Sequence, residues 1–106
     1  MEEKDLAGNW KGKLQGQPVF LLVLYSHQTG LILRQFVGES AFTQPLEIRS
    51  NLVCLDLCFG PQLRSFKLHF DCRKGLKTLA PAFSRGDPLN TLQLGWFSAK
   101  NAALDF

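Results

Sequence analysis

Three cysteines (Cys54, Cys58, Cys72) and two histidines (His27, His69) are the side chains of this 106-residue sequence best suited to metal ligation or nucleophilic chemistry. Cys54, Cys58, His69 and Cys72 together mimic a four-ligand zinc set. Residues four apart on a strand, however, lie about 13 Å from each other at about 3.3 Å per residue, whereas zinc holds each thiolate at about 2.3 Å. If 52–59 is a strand, Cys54 and Cys58 cannot share one ion, so no metal site is expected. Neither histidine is flanked by Ser or Cys in a nucleophile arrangement, and no Gly-x-Ser-x-Gly elbow is present. The carboxylates are few and scattered, which leaves no acid–base pair to propose from spacing. Asp56 alone interrupts an apolar stretch, and it is read as outward and solvated. "GKLQGQ" lacks the Lys-Ser/Thr ending of a phosphate-binding loop. The expectation is a protein that is not an enzyme and carries no cofactor.

The elements that must position these residues follow from the turn signals. "QGQP" (15–18), "SHQTG" (26–30), "GES" (38–40), "SN" (50–51), "GPQ" (60–62), "DCRKG" (71–75) and "SRGDP" (84–88) recur about every ten residues. That is the spacing of a β-meander. Between them the side chains alternate with a two-residue period. In "LVCLDLCF" Val53, Leu55, Leu57 and Phe59 share one face, and in "RSFKLHF" Phe66, Leu68 and Phe70 do the same. "FTQPLEI" groups Phe42, Leu46 and Ile48, while "LQLGW" aligns Leu92, Leu94 and Trp96. A helical period fits none of these. The fold class expected is all-β: one domain over 1–106, a small antiparallel barrel of about eight strands in meander topology, with closure favoured because it removes exposed edges.

Composition narrows the partners. An apolar fraction of 45% with 20% charged residues is that of a globular chain. The longest apolar run, "VFLLVLY" at 19–25, is about a third of a helical membrane span. No membrane span and no secretion signal are expected, and an odd number of cysteines then argues for a reducing, cytoplasmic location. A net charge of +3 is mildly basic, but Phe66, Phe70 and Trp96 fall on predicted inward faces, so nucleic acid ranks low as a partner.

The stretch "DLAGNWKGKL", with Leu6, Gly8, Trp10 and Lys11, resembles the N-terminal Gly-x-Trp signature of lipocalin-like (calycin) barrels. The resemblance implies that Trp10 plugs the closed end of the barrel beneath a basic side chain from the last strand, for which Lys100 is the nearest candidate. The other reading of Trp10 is an ordinary core aromatic. This chain is shorter than typical members and lacks their disulfide, closer in size to small inhibitor barrels with little internal cavity.

Strands two and three carry the partner expectations. "VFLLVLY" is apolar on both faces, and "LILRQFV" continues the pattern, so a second cover is needed beyond the core. The tail "AALDF" offers few large side chains for that cover. Val19, Leu21, Val23, Tyr25, Leu31 and Leu33 are therefore assigned to an interface, most simply of a two-fold homodimer. The complementary assignment turns Arg34 and Phe36 inward, where with Gln44, Trp10 and Trp96 they would meet a small hydrophobic, anionic ligand; a one-residue slip reverses both. Two functions are carried forward. The leading one is a protein–protein interaction module, an inhibitor or assembly factor, with the barrel filled by side chains. The alternative is a calycin-like binding protein for that ligand.

Overall fold

The computed structural model of the chain describes residues 1–82 and 91–102. The turn expected at 84–88 and the end of the "AALDF" tail lie outside the described residues. A short 3-10 helix, Glu3–Leu6, leads into β1 (Gly8–Leu14), β2 (Gln17–Ser26), β3 (Gly30–Val37), β4 (Ser40–Pro45), β5 (Glu47–Arg49), β6 (Leu52–Phe59), β7 (Gln62–Arg73), β8 (Leu76–Pro81) and β9 (Gln93–Ser98). The nine strands form one antiparallel sheet in the order β4-β3-β2-β1-β9-β8-β7-β6-β5, curled into a nearly closed barrel. All sequential neighbours but β4 and β5 pair, and β1 meets β9 to bring the two ends of the chain together.

The ninth strand arises because "FTQPLEI" is not continuous. Leu46 still donates its N–H to the Leu31 carbonyl (3.2 Å), after which the chain leaves β3 and Glu47–Arg49 pairs with β6. Pro45 has no N–H to contribute and sits at the end of β4, a position where an edge strand tolerates it.

Alternation fills the interior. Val53, Leu55 and Leu57 of β6 point inward and lie opposite Leu68, Phe66 and Arg64 of β7. They join Leu6, Trp10, Leu14, Leu21, Val23, Leu31, Leu33, Leu79 and Leu94 in one buried cluster. This corrects the face assigned to strands two and three. Val19, Leu21, Val23, Leu31 and Leu33 are core residues and not available to an interface, while Tyr25 packs against them partly buried. The reason is register: Leu21 lies opposite Gln35 and Val23 opposite Leu33, and this whole set turns inward together. The other face of β2 is partly covered within the chain. Leu22 and Leu24 are buried against Ala7, Ile32 and Ala102, and the Ala102 carbonyl accepts a hydrogen bond from the Tyr25 N–H.

The Gly-x-Trp stretch packs into the core. Trp10 is fully buried, donates its indole N–H to the Leu6 carbonyl (2.9 Å) and meets Phe70 edge-on at 6.4 Å. Gly8 adopts φ +142°, and a Cβ there would lie 1.8 Å from Trp96 Nε1, so only glycine lets that indole cross the backbone. The Trp96 N–H donates to the Ala7 carbonyl, and Lys77 lies 4.9 Å over its ring while donating to the Asp5 carbonyl. The basic side chain here is therefore Lys77 of β8 over Trp96. Lys100 is exposed, and its carbonyl accepts from Asn9 Nδ2.

Candidate functional site

The backbone ladder around the barrel is interrupted at one seam. β4 pairs only with β3, and beyond Cys54 the edge of β6 has no strand beside it. Antiparallel alternation turns the N–H and C=O groups of every second β6 residue toward this gap. Cys54 lies opposite Glu47 of β5, and Asp56 and Cys58 follow at the unpaired positions.

Two side-chain amides take the place of the missing strand. Gln35 of β3 is buried at 5% exposure; its Nε2 donates to the Cys58 carbonyl and its Oε1 accepts from the Cys58 N–H, both at 2.7 Å. A carboxamide has the donor and acceptor of a peptide group, so Gln35 reproduces one rung of a ladder. Gln44 of β4 donates to the Asp56 carbonyl. The Asp56 carboxylate faces outward and accepts from Ser65 Oγ at 2.5 Å on β7, which accounts for an acid in an apolar strand.

Clefts flank these stitches. One of about 410 Å³ lies beside Gln44, Pro45, Cys54, Asp56, Ser65 and Lys67. Another of about 380 Å³ lies toward the rim, beside Phe20, Gln35, Phe36, Cys58 and Gly60. Phe20 and Phe36 are cross-strand partners on the outer face and are 49% and 43% exposed. Val37 and Phe42 are exposed too, but on the opposite face: Phe42 lies opposite Gln35, and Val37 has the parity of Leu33 and Gln35. Arg34 sits on the outer face opposite Leu22 and Thr43, and its buried Nε has no hydrogen-bond partner among the described residues.

The five residues expected to share a ligand pocket therefore separate. Trp10 and Trp96 bond the Leu6 and Ala7 carbonyls of the N-terminal segment, Arg34 and Phe36 lie on the outer face, and Gln44 lies at the seam. Register again is the reason: Gln35, not Arg34, occupies the inward position in "LILRQFV". Sequence reasoning missed Gln35, although a lone polar residue in step with Leu31 and Leu33 was the available signal. Among the described residues no group of three or more His, Cys, Asp or Glu side chains lies close enough to hold a metal. Cys54, Cys58 and Cys72 are free thiols. No helix among the described residues is long and apolar enough to cross a membrane.

Fold and seam together define the class: a small, nearly closed all-β barrel with an apolar core, laced along one side by glutamine amides. No protein-family model matches the chain, and comparison with curated proteins and with solved structures finds no match.

Proposed function

We propose that this chain is a non-enzymatic, calycin-like barrel acting as a protein–protein interaction module in a reducing compartment, through the outer corner formed by β2, β3 and β4. The observation that carries the reading is the contrast between inside and outside. Leucines and Trp10 occupy the interior, whereas Phe20 and Phe36 stand half exposed as a pair beside the half-buried Arg34. Arg34 is a half-buried cation on the same face, and a carboxylate is the natural partner of a guanidinium. The partner favoured by this corner is thus a protein segment that brings an acidic side chain flanked by apolar ones.

A photo-crosslinking residue at Phe36 should capture one discrete partner protein that the same residue at Phe97, exposed to a similar extent elsewhere on the barrel, does not. Phe20→Ser, with the crosslinking residue kept at position 36, should abolish capture while changing stability by no more than about 0.5 kcal/mol, as for a surface site. Equal capture at both positions, or capture that survives Phe20→Ser, would count against the reading. The alternative, a hydrophobic anionic ligand, finds its support in the two clefts. Native mass spectrometry showing a retained small molecule would put it first.

A further inference from the structure

The free edge of β4 is the least protected part of the molecule. Because the Leu46 N–H bonds the Leu31 carbonyl, alternation along the β3–β4 ladder makes Gln44 and Phe42 the residues bonded to β3. The N–H and C=O groups of Ala41 and Thr43 then point away from β3 along an exposed edge. Pro45, which has no N–H, falls on the same side, where its lack leaves no rung of the β3 ladder broken. Natural edges are usually blunted by charge or by proline within the strand. β4 carries no charge, its one proline, Pro45, stands at the strand's last position and leaves the Ala41 and Thr43 groups open, and Phe42 is 47% exposed.

We propose that β4 pairs with β4 of a second copy of this chain, antiparallel about a two-fold axis through Phe42. In that register Ala41 of each copy lies opposite Thr43 of the other, so the four outward groups on each side make four hydrogen bonds. Phe42 faces its own counterpart in the non-hydrogen-bonded pair, where side chains approach most closely. Self-pairing sets each residue of the strand against the same short segment, so any charge within it would meet a like charge nearby. Here Ser40 faces Gln44, and Glu39, the nearest charged residue, faces Pro45. An uncharged edge of alternating open groups around one exposed aromatic suits a second copy better than a charged peptide.

The pairing is independent of the Phe20–Phe36 corner, and the Phe20→Ser, Phe36→Ser protein should dimerise as wild type does. Sedimentation equilibrium should show the mass of the intact chain doubling as concentration rises, and hydrogen exchange at the Ala41 and Thr43 amides should slow over the same range. Thr43→Pro, which removes an outward donor, and Phe42→Lys, which sets two like charges face to face, should each remain folded and monomeric. If Thr43→Pro fails to fold, Phe42→Lys and the wild-type exchange data decide. A wild type that stays monomeric at every concentration overturns the proposal. So does a dimer whose Ala41 and Thr43 amides exchange freely, or one that persists in a folded variant.

Discussion

At the scale of single residues, Gln35 holds the barrel shut. Its amide makes two 2.7 Å hydrogen bonds to one peptide unit of β6, and leucine would preserve its volume while leaving the Cys58 N–H and C=O unmet. Gln35→Leu should therefore lower stability by about 1–3 kcal/mol, at about 0.5–1.5 kcal/mol per lost bond. Urea denaturation reads this directly. A loss under about 0.3 kcal/mol would mean that water or a backbone shift replaces the amide. The role was hidden in the sequence for a physical reason. "LILRQFV" offers an apolar residue at inward and outward positions alike, so alternation alone cannot choose its face. Once Leu31 and Leu33 are known to point inward, Gln35 must follow them and Arg34 must turn out.

At the scale of elements, the strands whose outer faces are polar were the legible ones. Residues 52–59 form β6 with the expected bounds, because Cys54, Asp56 and Cys58 contrast with Val53, Leu55 and Leu57. The break at Leu46 was not legible: Phe42, Leu46 and Ile48 keep one parity straight through it, and only tertiary pairing parts β4 from β5. The Gly-x-Trp stretch was noticed as a motif, but the need for its glycine appears only where β1 meets β9. Gly8→Ala forces a positive φ on a residue with a Cβ and drives that Cβ into the Trp96 indole. Strain and overpacking each cost about 1–3 kcal/mol, so a loss of about 2–6 kcal/mol is expected by thermal or urea unfolding. The fluorescence of the tryptophans should shift as the Trp96 indole is displaced. An unchanged unfolding midpoint would show that the indole moves aside at no cost.

At the scale of the whole molecule, one cluster of side chains serves as the core, and its largest fully buried member is Trp10. Trp10→Ala should cost about 3–5 kcal/mol, the range for deleting a large core aromatic. A loss below about 1 kcal/mol in urea unfolding would contradict its burial. Its strand, β1, also sets the order of events in folding. The Asn9 side chain bonds the Ser98 carbonyl across 89 positions, and β1 pairs with β9 along most of its length. Among the described residues every other strand pairing joins strands adjacent in sequence, so this rung must wait for the largest loop to close, the slow step in chains dominated by non-local pairing. On a ribosome adding about 5–20 residues per second, β1 stands unpaired on that side for about 4–17 s before β9 has been made. Through that interval the two-faced apolar β2 and β3 lie in an open sheet. The nascent chain is most exposed to misassociation then, before the barrel can close.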